Sequence, residues 1–274
     1  MTYATILVNL EAGRSNKHLL QAATEVAERF QAAVIGTTAC APLQIFYGDG
    51  GYVSGEFFEQ DKKQIASETA QAEAEFRDAM GNQLRVLEWR SAIAILPLSD
   101  HLANEARRAD LILTAAAGEG PHNATRQIPV GDLIMQAGRP VLQIAPAPIR
   151  MDRVLVAWKD TGEARRAAAD SLPLLKRAKH VHLVEIARDH DLTAARSRLD
   201  DVAGWLGRHG ITAETHAEPA AGDDAAGLEK IADEWEADMV VAGAYGHSRV
   251  REWALGGVTR TLLRHATRSS FVSH

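Results

Sequence analysis

Cysteine is almost missing from this chain. Cys40 is the only one among 274 residues, so an intramolecular disulfide is excluded and a cysteine-based metal site within one chain is disfavoured. Long apolar runs are missing as well. No stretch approaches the roughly 20 residues that a membrane span requires, and the opening MTYATILVNLEAGRS has neither the basic region nor the cleavage site of a secretory signal. A cytoplasmic protein with no membrane partner is expected. Positive charge is in deficit: 30 Lys and Arg against 36 Asp and Glu leave a formal charge of -6. That argues against sequence-independent binding of nucleic acid, which draws on clustered cations facing phosphate. The signatures G-x-S-x-G, HExxH, GxGxxG and GxxxxGK with a following Ser or Thr are absent too. Hydrolase, zincin, dinucleotide-fold and P-loop readings therefore lack their local warrants.

What is present is a globular composition, 46% hydrophobic and 24% charged, arranged as two copies of one unit. ATILVNL at 4–10 and RVLVAW at 153–158 read as buried strands. After the first, Leu19, Ala23, Val26, Ala27 and Phe30 are spaced by three and four, which puts one apolar stripe on a helix facing a sheet. After the second comes the helical EARRAAADSLPLL. AAVIGTTACA at 32–41 and HVHLVEIA at 180–187 supply a second strand to each copy. RADLILTAAAGEG at 108–120 then matches EADMVVAGAYGHS at 236–248, with Ala109 over Ala237, Asp110 over Asp238 and Gly118 over Gly246. A helix precedes each copy, and PVLQIAP and SSFVS close them. Alternation of strand and helix implies parallel sheets covered on both faces. The expected architecture is α/β, with two tandem open parallel-sheet domains at 1–148 and 149–274. In the first copy a glycine- and aromatic-rich insertion at 42–60, PLQIFYGDGGYVSGEFFEQ, reads as a lid, a contact surface or a loop whose aromatics fold back on their own domain.

The chemistry is concentrated in GAYGHSRVREWALGGVTRTLLRH. Gly243 and Gly246 stand where the strand MVVA ends, and strand tips of open parallel sheets are where ligands sit. Gly256 opens the next helix, whose unpaired N–H groups favour an anion. His247, Ser248 and Arg249 add donors and charge, and Gly257, Val258 and Thr259 follow at the helix start. The pattern Gly-x2-Gly-x9-Gly after a buried strand resembles the nucleotide-binding signature of the universal stress protein family, and the repeat extends the resemblance to both halves. The chain is similar to a tandem member of that family.

The resemblance implies ATP, with or without Mg²⁺, or another adenine nucleotide in the second half. It implies further contacts from Ala157, Trp158 and Asp160 after the first strand, and a stress-response binding module rather than an enzyme. Trp158 reads equally as a platform under a base and as a core residue. It also implies an intramolecular pseudo-dimer formed by the closing strands PVLQIAP and SSFVS, leaving open a homodimer and an unidentified regulatory protein partner. Two departures stand out. Gly257 takes the place of a hydroxyl residue, and Asp160 lies one place later than the family's acid. The first half departs further, with Ala115 and Ile128 where two of the glycines would stand, and reads as a degenerate site. A nucleotide-free interaction module and a slow nucleotide hydrolase are the alternatives. His180 and His182, two apart on a strand, have no carboxylate pair nearby in sequence, and no metal site is expected.

Overall fold

The computed structural model describes residues 2–43, 55–81, 87–94, 97–116, 123–220, 222–244, 261–263 and 267–274. The first half runs β1 (Thr5–Asn9), α1 (Lys17–Phe30), β2 (Ala33–Cys40), α2 (Gly55–Met80), β3 (Leu87–Ile93), α3 (Leu98–Glu105), β4 (Leu111–Ala115), α4 (Val130–Ala137) and β5 (Val141–Ile144). The second runs β6 (Arg153–Ala157), α5 (Gly162–Asp170), α6 (Leu172–Leu175), β7 (His180–Ala187), α7 (Leu192–Arg208), β8 (Glu214–Pro219), α8 (Asp224–Glu234), β9 (Met239–Gly243) and β10 (Ser269–Ser273). No described helix is long and apolar enough to cross a membrane.

Local chemistry explains these elements. The stripe Leu19, Ala23, Val26, Ala27 and Phe30 of α1 is buried, and Gln31 ends the helix in the left-handed region at φ 55°. Thr161 caps α5 by accepting from the Ala164 N–H at 3.3 Å, and Asp223 caps α8 by accepting from the Ala225 N–H at 2.9 Å. Pro173 falls in the continuation of α5 and cannot donate a helical hydrogen bond, so the helix restarts as α6.

The strands form one sheet in the order β3-β2-β1-β4-β5-β10-β9-β6-β7-β8. Every neighbouring pair is parallel except β5 and β10, which run antiparallel with Leu142 opposite Phe271. Each half thus repeats one strand order, and the halves meet edge to edge about an approximate two-fold axis, the arrangement that makes a self-complementary contact. The expected pairing of PVLQIAP with SSFVS takes this form, as one continuous sheet rather than two sheets laid together. Phe271 is fully buried, and a single apolar core runs from Ile6, Val8 and Leu113 through Leu142 and Phe271 to Val241 and Val156. At the same seam the Tyr3 hydroxyl donates to the Asp170 carbonyl at 2.7 Å and the Ser273 hydroxyl to the Asp170 carboxylate at 2.8 Å. Burial pushes the Asp170 carboxyl above its ordinary range.

The repeated acid has a structural duty in both halves. Asp110 Oδ2 accepts from the N–H groups of Ala4 and Thr5 at 2.8 and 3.0 Å, and Asp238 Oδ2 accepts from Asp152 and Arg153 at 3.1 and 2.9 Å. Each ties the start of the fourth strand of its half to the start of the first. Asp238→Ala is expected to lower stability by about 1–2 kcal/mol, because two backbone donors lose a charged acceptor. Urea denaturation checks it: Asp238→Asn, which keeps one acceptor oxygen, should lose less, and equal losses would contradict the assignment.

The insertion at 42–60 is described only in part. Residues 44–54 lie outside the described residues, while 55–60 open the 26-residue α2. Phe57 and Phe58 do not fold back into a core: they are exposed and meet edge to face at 6.3 Å.

Candidate functional site

In each half the first strand lies between the second and the fourth, so successive connections leave it in opposite directions. That creates a crevice at the carboxyl ends of β1 and β4, and another at those of β6 and β9, where open α/β sheets take ligands.

The second crevice gathers four of the residues singled out in the sequence. Ala157 pairs with Ala242, Gly243 follows on β9, and Trp158 and Asp160 lie in the 158–161 link to α5. Their individual roles are set by packing. A Cβ on Gly243 would lie 2.5 Å from both Ala164 N and Glu163 C, so this glycine lets the start of α5 pass directly over β9. Trp158 is 8% exposed and belongs to the main core, so it lies among apolar side chains rather than forming an open platform. Its indole N–H is buried with no partner among the described residues. Asp160 is exposed and accepts from Arg165 at 2.7 Å. Lys159 is exposed beside it. Gly246, His247, Ser248, Arg249, Gly256, Gly257, Val258 and Thr259 lie outside the described residues. The chain leaves the sheet at Ala244, whose N–H donates to the Ser273 carbonyl at 2.8 Å. It is described again at 261–263, where Leu262 and Leu263 are buried.

The first crevice is filled by the protein itself. Arg126 is 8% exposed. Its guanidinium donates to Glu68 at 2.6 Å, to the carbonyls of Ala41 and Thr125 at 3.0 and 3.2 Å, and to Asp61 at 3.4 Å. Burial opposes its charge, but the hydrogen bond and attraction from Glu68 and the bond from Asp61 outweigh that, holding the group above its ordinary value. Gln127 donates to Glu11 at 3.1 Å and accepts from the Asn123 N–H at 2.8 Å. Ala115 ends β4, and Ile128 is buried in the core beneath α3 and α4. Asp61 and Glu68 hold Arg126 while Glu11 meets Gln127 and Arg14, so three carboxylates face two cations and a phosphate would meet net negative charge. Composition hints at none of this, because Arg126 and its partners come from three separate segments.

Sheet register allows the halves to be compared residue by residue. Ile6 pairs with Leu111 and Val154 with Met239, and the repeat sets Leu111 over Met239. Asn9 therefore corresponds to Ala157, and Glu11 to Lys159. At the strand tip the second half has a smaller side chain and the opposite charge.

Residues 151–272 match the model of the universal stress protein family. No curated protein sequence matches the chain. Over 98% of its length the chain is similar to the crystal structure of a universal stress protein from Archaeoglobus fulgidus DSM 4304, with 14% identity, 97% of that chain covered and a TM-score of 0.73. A functionally unknown protein from Pseudomonas aeruginosa PAO1 is similar over 99% of this chain and 92% of its own, with 16% identity and a TM-score of 0.64. At these identities the likeness is one of fold.

Proposed function

From a chain whose residues 151–272 match the universal stress protein family, we propose a binding module in which that half, taken from residue 149 onward, holds an adenine nucleotide at the β6–β9 crevice. ATP with Mg²⁺ is the first ligand to test, and binding rather than turnover is the output. The charge reversal at the strand tip carries this reading. Where the first half sets Glu11 against a crevice already occupied by Arg126, Glu68 and Asp61, the second sets Lys159 beside Ala157 in the 158–161 link that enters α5. Lys159 supplies the cation for a phosphate. The glycine loop at 243–257 and Ser248, Arg249 and Thr259 supply the remaining donors by sequence position. The first half serves as a structural partner, its degenerate crevice closed by its own side chains.

Calorimetric titration with ATP and AMP, with and without Mg²⁺, tests the proposal, and absence of heat with every nucleotide at high protein concentration would sink it. Gly246→Asp is expected to abolish binding by placing a carboxylate at the phosphate loop. Lys159→Glu is expected to weaken it by roughly tenfold. The second reading, a nucleotide-free interaction module, is favoured by the pairing of Asp160 with Arg165 and by the exposed Phe57 and Phe58. Mass spectrometry of small molecules released from the purified protein separates the two.

A further inference from the structure

At the opposite end of the second half's sheet from the crevice, metal-binding side chains converge from two strands. His182 is the third residue of β7 and Glu214 the first of β8, and the register places them directly opposite each other. His216 follows two residues later on β8, so the pleat carries it to the same face. His182 Nδ1 lies 3.5 Å from His216 Nε2 and 3.8 Å from Glu214 Oε2. One ligand atom from each of the three residues falls within 4.8 Å of the others. Among the described residues this is the one such group of three His, Cys, Asp or Glu side chains.

The spacing suits a small tetrahedral ion. Ligands at roughly 2.0–2.2 Å from zinc are separated by roughly 3.4 Å at tetrahedral angles, within a few tenths of an ångström of the two closest separations. Glu214, two-thirds exposed, can close the third by side-chain rotation. The imidazoles are already positioned. Trp235, at the end of α8, lies against both rings, with centroids 4.6 Å from His182 and 4.1 Å from His216, so little rotamer freedom is left to lose on binding. Burial holds His182 below the usual histidine range, helped by His216, His180 and Arg153 and opposed by Glu214.

We infer that His182, His216 and Glu214 form a zinc(II) site that pins the edge strand β8 to β7, with a fourth position open to water. Two imidazoles and a carboxylate are a donor set suited to zinc, and the two-thirds exposed Glu214 keeps one side of the cluster toward solvent. The site is independent of the nucleotide reading, because it uses neither the crevice nor the glycine loop.

The full chain, stripped with a chelator and free of nucleotide, is titrated with zinc chloride by calorimetry at neutral pH. One zinc per chain is expected, together with a rise in the thermal unfolding midpoint. His182→Asn and His216→Asn should each weaken binding at least about tenfold, as losing a direct ligand costs no less than losing an outer-sphere partner. Glu214→Gln should weaken it less, and His18→Asn, on α1 of the other half, should leave it unchanged. Cobalt(II) gives a readout on the unaltered protein: the strong visible absorption of a four-coordinate ion is expected. No zinc binding by the unaltered chain, a weak octahedral cobalt spectrum, or full affinity in both folded histidine variants would overturn the inference.

Discussion

Arg126→Ala is expected to cost the protein about 3 kcal/mol or more of stability, the range found when one partner of a buried ion pair is removed. Its guanidinium is the only cation within hydrogen-bonding reach of Glu68 and Asp61 among the described contacts, and it also donates to two carbonyls at the tip of β2 and in the loop before α4. Truncation leaves Asp61, 7% exposed, and Glu68, 17% exposed, in a crevice shared with Glu11. Arg126→Lys should recover part of the loss at most, because an ammonium cannot span the fork of acceptors that a guanidinium serves. Adding Glu68→Gln to Arg126→Ala should restore part of the stability, since one uncompensated charge is then gone. Chemical denaturation of the four proteins forms the test. A single-variant loss below about 1 kcal/mol would place the group among ordinary surface ion pairs, and the filled-crevice account of the first half would fall with it.

Gly243→Val carries the second large effect, about 3 kcal/mol, at the upper end of what overpacking costs. The obstacle is backbone. The added Cβ meets Ala164 N and Glu163 C at 2.5 Å, and neither atom can swing aside as a side chain end would. The whole start of α5 must lift, and the Thr161 cap with it. The first half shows why the penalty is local. Ala115 occupies the equivalent place without difficulty because the 10–16 link carries α1 further from β4, whereas 158–161 brings α5 straight down onto β9. Ala115→Gly should therefore change stability little. Helix packing by itself thus requires a glycine at 243. If Gly243→Ala loses nucleotide binding only in proportion to its unfolded fraction, that account stands; a folded variant that cannot bind would return Gly243 to the ligand.

Much of the architecture is legible along the chain. The apolar runs at 4–10, 32–41, 153–158 and 180–187 and the stripe of α1 follow from periods of two and 3.6 residues, and the repeat of Asp110 at Asp238 marks equivalent turns of equivalent units. The edge strands are not legible in the same way. LEWRSAI in β3 and ETHAEP in β8 are edge strands, most of whose residues are polar or exposed, and no apolar run announces them. The amino end of α2 is hidden by the glycine and aromatic bias of the segment it closes.

Local periodicity and the internal repeat were enough to establish an α/β chain of two like halves, because those signals reside in residues a few positions apart. Hydrogen-bond register between distant strands settled much of the rest. It joined β5 to β10 and made two sheets one. Packing of α2 and the 123–127 loop over the strand tips brought Glu11, Asp61, Glu68 and Arg126 into a single crevice. Register also set His182 against Glu214 and His216, more than thirty residues away in the chain, where spacing along the sequence had given no sign of a ligand set. Side chains that face each other across a sheet are neighbours by pairing, and pairing exists only once the chain has folded.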